Sequence, residues 1–187
     1  MVGVLALQGD FAAHRRILAA LHADSREVRT PADLQGLSVL ILPGGESTTM
    51  SLGAVREGLD RVLPEVAAQG LPMLATCAGM ILLDRDHLGV LDIATQRNAF
   101  GRQIRSFEAD VALAGFAEPV HAVFIRAPWV VEHGAGVEPI GELDGHVVAV
   151  RAGAILAVAF HPELTGETRL HRWLLERAAQ RASTSSI

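Results

Sequence analysis

The feature that most constrains the fold is a series of short apolar segments, each followed by a turn and then by a helix-like pattern. Val2–Leu7, Ser38–Leu42 and Leu71–Thr76 are the three clearest of these segments. Near-continuous apolar runs of this length are typical of strands buried on both faces of a parallel sheet. Because helical patterns lie between them, the sequence predicts an α/β domain with a doubly wound, mainly parallel sheet flanked by helices.

The second half of the chain has a different pattern. Across Ile93–Ala159 the candidate strands are short and separated by turns. Val147–Arg151 and Ala154–Phe160 predict a β-hairpin. A closing helix is predicted over Glu167–Arg181, followed by a frayed tail over residues 182–187. We therefore expect additional short antiparallel strands within a single domain that spans all 187 residues.

Composition limits the chemistry that the chain can perform. All 16 basic residues are arginine, so no lysine amine is available to form a Schiff base. A net charge of −5 without a basic run argues against nucleic-acid binding. The longest uncharged stretch, Val66–Leu83, is interrupted by glycine and proline, so no membrane span is predicted. The N-terminal Met1–Leu7 has no charged n-region and predicts a strand, not a signal peptide. A single cysteine excludes an internal disulfide, and we expect a cytoplasmic protein.

Cys77, the single cysteine, lies at one of the strand-to-helix turns. It follows Leu71–Thr76 and precedes a helix-like run that begins at Ala78. A side chain at such a turn is presented at the open end of a sheet, and the backbone N–H groups after it can face an oxyanion. A lone thiol with a suitable histidine elsewhere is a candidate nucleophile, whereas a buried core cysteine is the common alternative. The turn alone leaves both interpretations open.

The segment His161-Pro162-Glu163 is a second candidate, because it follows an apolar run and ligands of open α/β sheets bind at the carboxyl ends of strands. His161 could act as a base, and Glu163, two residues later, could orient the imidazole from the same side of an extended segment. The pair could instead bind a metal ion, but no second ligand cluster accompanies it, so we predict no metal site. The other seven histidines are interpreted as solvated or satisfied polar residues: His14, His22, His87, His121, His133, His146 and His171.

The loop Pro43–Ser47 follows the second apolar segment and contains two adjacent glycines. Glycine lets backbone N–H groups approach a ligand closely, but the loop lacks the lysine of a phosphate-binding P-loop. The N–H groups of Gly45 and Ala78 could together form an oxyanion hole. The alternative is an ordinary turn in which Ser47 or Thr48 caps the following helix.

Short motifs spread over nearly the whole chain form a recognisable set. They are Leu5–Gly9, Leu42–Thr49, Thr76–Gly79, Arg97–Gln103, Ser106–Asp110, Val123–Pro128 and Phe160–Thr165. The set resembles the class I glutamine amidotransferases, and more narrowly the glutaminase subunits of pyridoxal 5′-phosphate synthase. The run Pro-Gly-Gly-Glu-Ser-Thr-Thr together with Ile-Arg-Ala-Pro is the part specific to the narrower family.

The resemblance implies a catalytic triad of Cys77, His161 and Glu163 that hydrolyses L-glutamine through a γ-glutamyl thioester, without a metal or a cofactor. It also implies a glutamine site lined by Gly45, Glu46, Ser47, Arg97, Ile125 and Arg126. An arginine suits the α-carboxylate of the substrate through bidentate hydrogen bonds. Arg97 and Arg126 could instead be surface charges or members of ion pairs within the domain.

The resemblance implies a protein partner as well. In this family the ammonia passes to a separate (β/α)₈ synthase subunit that makes pyridoxal 5′-phosphate. Imine chemistry on sugar phosphates calls for a lysine, which this chain lacks and the partner must supply. The alternatives are a glutaminase that serves a different synthase, a catalytically silent assembly module of the same fold, and a cysteine hydrolase that acts on peptides or small aldehydes.

Overall fold

A nine-stranded sheet forms the centre of the computed structural model, which describes residues 1–100 and 106–184. The strands in chain order are β1 (Val2–Leu5), β2 (Ser25–Val28), β3 (Val39–Leu42), β4 (Met73–Thr76), β5 (Ile93–Gln96), β6 (Ser106–Val111), β7 (Val120–Ile125), β8 (Trp129–His133), β9 (Glu138–Leu143), β10 (His146–Ala152) and β11 (Ile155–Val158). The helices are α1 (Phe11–Ala20), α2 (Ser47–Glu57), α3 (Leu59–Ala68), α4 (Ala78–Leu83), α5 (Pro162–Thr165) and α6 (Arg169–Thr184), with a 3₁₀ helix at Pro31–Leu34.

The strand order is β2-β1-β3-β4-β11-β10-β8-β5, with β9 paired to β10. Neighbours from β2 to β11 are parallel, whereas β10, β8, β5 and β9 join through antiparallel pairing. Strands β6 and β7 form a separate antiparallel pair. The predicted fold class, a mainly parallel sheet flanked by helices with antiparallel strands in the second half, is confirmed.

Burial explains why the apolar segments form the middle of the sheet. Every residue of β1, β3, β4 and β11 is buried. Helix α1 packs on β1 and β2, α4 on β3, β4 and β11, and α6 on β3 and β4. Burying a large aliphatic side chain stabilises the fold by roughly 1.5–3 kcal/mol, so these strands hold the sheet edge rigid where the motifs end.

The boundaries differ from the prediction at a few points. The hairpin of β10 and β11 is confirmed, with Ala149 opposite Val158. Helix α6 extends through residues 182–184, beyond its predicted end at Arg181 and into the predicted tail. No glycine or proline occurs there to end the helix. Residues 101–105, which include the end of the Arg97–Gln103 motif, and residues 185–187 lie outside the described residues. Within the described part of the chain, no helix combines the length and apolar character that crossing a membrane requires.

Candidate active site

Cys77 occupies a strained turn between β4 and α4. Its backbone has φ +47° and ψ −107°, a region that residues other than glycine rarely adopt. The predicted strand, sharp turn and helix are thereby confirmed. Gly79 makes the turn possible, because a Cβ at that position would overlap the carbonyl oxygen of Leu42 on β3. The small residues after Cys77 therefore let α4 start directly against the sheet, which holds the thiol at the sheet edge.

His161 and Glu163 lie beside Cys77 at the same edge. The N–H of His161 donates to the Val123 carbonyl at 2.9 Å, which ties the start of α5 to β7. Nδ1 of the imidazole lies 2.7 Å from Oε1 of Glu163, and both side chains are almost completely buried. A carboxylate accepts from Nδ1–H in this arrangement, so Nε2 is the nitrogen free to exchange a proton.

The protonation of His161 reflects opposing effects. Burial alone would lower its pKa, but hydrogen bonds and charge interactions with Cys77 and Glu163 raise the pKa to about 10. The imidazole therefore favours its charged form at neutral pH. An imidazolium next to a thiol favours the thiolate, which is the nucleophilic form of cysteine.

A cleft of about 490 Å³ opens in front of the thiol. Its size is suited to a small-molecule ligand. All six residues predicted to bind substrate line it, together with Cys77, Ala78 and His161: Gly45, Glu46, Ser47, Arg97, Ile125 and Arg126. Glu163 is not in the lining because it lies behind His161.

The Pro43–Ser47 loop is held at two points. The N–H of Glu46 donates to Oε1 of Gln8 at 2.6 Å, and the N–H of Asp10 donates to the Gly44 carbonyl at 3.1 Å. Gly45 therefore sits between two anchors on the same cleft as Ala78. The Ala78 N–H, in the first turn of α4, has no intrahelical acceptor. These positions are compatible with the predicted oxyanion hole, which remains a prediction.

Glu46 caps helix α2. Its carboxylate accepts from the N–H groups of Thr48 and Thr49 at 3.1 and 2.7 Å. Hydrogen bonds from the Thr49 side chain and backbone, and then from the Thr48 backbone, lower the pKa of Glu46 to about 2. The alternative in which Ser47 or Thr48 caps this helix is not the observed arrangement, because the Glu46 carboxylate accepts from the N–H groups of Thr48 and Thr49.

The two arginines of the cleft have different surroundings. The Arg97 guanidinium contacts Oε1 of Glu46 and Oγ1 of Thr48, each at 3.3 Å, which matches the ion-pair alternative. Among the described residues no carboxylate pairs with Arg126, which lines the same cleft with φ +44°. Arg126 is therefore the arginine better placed to pair with a carboxylate of the ligand.

Several residues around the site were not among those predicted from the sequence. Gln8, Asp10, Ile81 and Asn98 also line the cleft. His14 and His171 lie behind it and are fully buried. The sequence did indicate that these two histidines are buried, because each lies on the apolar face of its helix. His14 lies between Phe11 and Ile17, and His171 lies one turn before Leu174.

The described residues offer a single group with the geometry to hold a metal ion. Ligand atoms of Asp10, His161 and Glu163 all lie within 4.8 Å of one another. His161 and Glu163 already bond to each other through Nδ1 and Oε1, so a metal ion would have to displace that hydrogen bond. We assign no metal to this group.

Gly44 is a position where a single methyl group should misplace the base. A Cβ there would overlap Cε1 of His161 and lie 2.8 Å from Nδ1. With glutamine, the substrate that the resemblance implies, we expect Gly44→Ala to lower kcat about 10²-fold, since a displacement of about 1 Å in a catalytic group has effects of that size. Gly136→Ala is the matched control, because nothing lies within 4 Å of its added Cβ. Equal kcat values for the two variants, measured by ammonia release, would contradict the tight packing of Gly44 against the base.

Comparison with known proteins decides the family of the chain. The family model described as the SNO glutamine amidotransferase family matches residues 4–180. The chain belongs to this family. A relative from Pelotomaculum thermopropionicum, pyridoxal 5′-phosphate synthase subunit PdxT, is 48% identical over 187 residues, covering 96% of this chain and 95% of the relative. The protein of the same name from Deinococcus radiodurans is 50% identical over 193 residues, covering 97% and 98% of the two chains.

Solved structures agree with the family. A crystal structure of a glutamine amidotransferase superposes with a TM-score of 0.90 and 45% identity, covering 95% of this chain and 98% of that chain. A chain in the structure of PurLQS from Thermotoga maritima superposes with a TM-score of 0.71 at 17% identity, covering 94% and 96% of the two chains. The second likeness shows that the fold extends beyond this family.

Proposed function

We propose that this protein hydrolyses L-glutamine to L-glutamate and ammonia, and that the ammonia serves a partner synthase subunit that makes pyridoxal 5′-phosphate. The observation that carries the proposal is the arrangement of Cys77, His161 and Glu163 at the edge of a cleft of suitable size. Two relatives about half identical to this chain bear the name of a pyridoxal 5′-phosphate synthase subunit, which supports the choice of partner.

The first half of the reaction is acyl transfer to sulfur. The Cys77 thiolate attacks the side-chain carbonyl carbon of glutamine, and negative charge develops on the carbonyl oxygen. N–H groups of Gly45 and Ala78 would stabilise that charge, and such donors are each worth about 10²–10³ in turnover. The imidazolium of His161 gives its proton to the departing nitrogen, so ammonia leaves and a γ-glutamyl thioester remains on Cys77.

The second half of the reaction regenerates the enzyme. His161, now neutral, takes a proton from water as the water oxygen attacks the thioester carbonyl. The carbon–sulfur bond breaks, glutamate forms, and Cys77 and His161 return to the thiolate–imidazolium pair. Glu163 accepts the hydrogen bond from Nδ1–H throughout and holds the imidazole in its working orientation. The net reaction consumes one glutamine and one water and releases glutamate and ammonia.

Arg126 is proposed to bind the α-carboxylate of glutamine. A charge-assisted hydrogen bond contributes about 1.5–3 kcal/mol, so Arg126→Gln is expected to raise KM for glutamine roughly 10–100-fold with a smaller change in kcat. Arg97→Gln is the comparison variant, because Arg97 is already engaged with Glu46. A larger KM increase for Arg97→Gln than for Arg126→Gln, measured by steady-state kinetics, would reverse this assignment.

The partner is proposed to be the lysine-bearing (β/α)₈ synthase subunit of the same organism. Without lysine, this chain cannot form an imine with a sugar phosphate, so the synthesis must occur on another chain. We also place the protein in the cytoplasm, because a catalytic thiol has to stay reduced.

Ammonia release with and without that synthase tests the proposal. We expect this protein and the synthase together to hydrolyse glutamine. We also expect them to form pyridoxal 5′-phosphate when glutamine replaces added ammonia as the nitrogen source. Pyridoxal 5′-phosphate formation with ammonia but not with glutamine would contradict the proposal. A rate of glutamine hydrolysis that does not change when the synthase is added would indicate a glutaminase that serves another enzyme.

A further inference from the structure

Two histidines form a hydrogen-bonded pair behind the triad, on the side away from the cleft. His14 on α1 and His171 on α6 have no exposed surface, and Nδ1 of His14 lies 2.9 Å from Nε2 of His171. Nε2 of His14 points the other way, 3.3 Å from Oγ1 of Thr76 and 3.4 Å from Oε2 of Glu163. A continuous series of side-chain contacts therefore links His171, through His14, to the carboxylate of Glu163.

The two carboxylate oxygens of Glu163 are not equivalent. Oε1 accepts from Nδ1 of His161 at 2.7 Å. Oε2 is completely buried and has no hydrogen-bond partner at ideal distance among the described residues. Leaving a buried charged oxygen without a donor costs free energy, and Nε2 of His14 at 3.4 Å is the ionisable nitrogen that approaches it.

The Glu163 carboxylate determines which nitrogen of each histidine carries the proton. If Nε2 of His14 carries the proton, it faces Oε2 as a donor, and Nδ1 accepts from Nε2–H of His171. The opposite tautomer would point a lone pair of His14 at the negative oxygen. In the favoured arrangement every N–H points towards Glu163, and Nδ1 of His171, which makes no hydrogen bond of good geometry, is left without a proton. The backbone of Glu167 near His171 favours the opposite tautomer, but a carbonyl is neutral, so the charged carboxylate of Glu163 has the stronger preference.

Both histidines are neutral at physiological pH. Burial, followed by the charges of His171 and His161, holds the pKa of His14 well below its usual value. Burial lowers the pKa of His171 to about 4, against the opposing effect of Glu167. Four ionisable groups surround the His14–His171 pair and the carboxylate that it faces. His161 and Glu163 lie at the start of α5, Glu167 lies between α5 and α6 beside His171, and Asp10 precedes α1 and approaches His161 and Glu163.

We propose that His14, backed by His171, is a positioning residue of the triad that holds Oε2 of Glu163 so that Oε1 stays aimed at His161. The proposal rests on the proposed triad chemistry. It differs from a purely structural role, in which the pair only joins α1 to α6, because it requires an N–H directed at the carboxylate.

Two substitutions of His14 separate these roles. His14→Gln keeps an amide N–H near the position of Nε2, whereas His14→Met fills a similar volume without a donor. In the complex with the synthase, we expect His14→Met to lower kcat about 10–100-fold with little change in KM, as loss of an outer-shell partner does at metal sites. His14→Gln should retain most of the wild-type kcat.

The pH profile gives a readout that a structural role would not change. Without a donor at Oε2, the carboxylate of Glu163 is free to move away from His161, and its hydrogen bond to the imidazolium becomes weaker. The pKa of His161 should therefore fall from about 10. We expect the alkaline fall in kcat to move to lower pH in His14→Met and to stay near the wild-type position in His14→Gln.

Leu170→Ala is the control for a loss of packing around the histidine pair. Leu170→Ala removes a buried neighbour of His171 outside the hydrogen-bond chain, and it should lower the melting temperature without moving the pH profile. If His14→Met does not fold, His171→Met replaces it, with a smaller effect in the same direction. Wild-type kcat and pH profile in a folded donor-less variant, or equal losses for His14→Gln and His14→Met, would overturn the proposal. Activity in Cys77→Ala would instead contradict the proposed triad itself.

Discussion

Cys77→Ala is expected to lower glutamine turnover at least about 10⁴-fold, because residues that act as a catalytic unit lose nearly all their rate when the nucleophile is removed. The structure gives no substitute, since Cys77 is the only thiol in the chain. The substitution removes one buried sulfur atom, whose recorded hydrogen-bond contact is a weak one to the Ile125 carbonyl at 3.9 Å, so the fold should stay intact. Ammonia release and complex formation with the synthase measure the two effects.

Cys77→Ser is the matched control for that experiment. It keeps the volume and the hydrogen-bonding capacity, but its hydroxyl is not deprotonated by an imidazole as readily as a thiol is. We expect the two variants to lose turnover similarly while both bind the synthase. Hydrolysis at the wild-type rate in either variant would mean that sulfur does not form the bond to glutamine.

His161→Gln is expected to have the second largest effect, close to that of removing the nucleophile. The same side chain favours the thiolate, protonates the leaving ammonia and activates water, so no single step remains efficient without it. We expect kcat, measured by steady-state ammonia release, to fall about 10⁴-fold or more. His133→Gln, at an exposed histidine outside the cleft, should leave kcat unchanged.

The pH dependence of the wild-type protein checks the state of the base. Contacts with Cys77 and Glu163 raise the pKa of His161 to about 10, so its proton is present below that pH and is lost as pH rises through it. Activity should therefore persist through neutral and mildly alkaline pH and fall as pH approaches 10. A fall centred near pH 6.5, the ordinary histidine value, would show that the imidazolium is not stabilised in this way.

Local patterns allowed much of the site to be predicted from sequence. The Cys77 turn and the His161–Glu163 pair involve residues that are neighbours in the chain, and buried parallel strands determine where their ends meet. The apolar runs of β1, β3 and β4 made the sheet predictable for the same reason. A sequence motif and the topology together were sufficient there.

Contacts between distant residues could not be predicted in this way. The hydrogen bond between His14 and His171 joins positions 157 residues apart, and that between Gln8 and Glu46 spans 38 residues. Neither pair belongs to a local spacing rule, and each depends on how two elements pack. The cap of α2 is Glu46, one position before the residues that the sequence offered as alternative caps, because its carboxylate reaches the N–H groups of Thr48 and Thr49.

Labelling with an electrophilic analogue of glutamine tests the central claim most directly. The analogue would carry the α-amino and α-carboxylate groups of glutamine and an alkylating carbon in place of the amide. We predict one adduct per chain, located on Cys77 by peptide mass spectrometry, formed in step with loss of ammonia release and slowed by L-glutamine. Inactivation without modification of Cys77, or labelling of Cys77 that L-glutamine does not slow, would contradict the account.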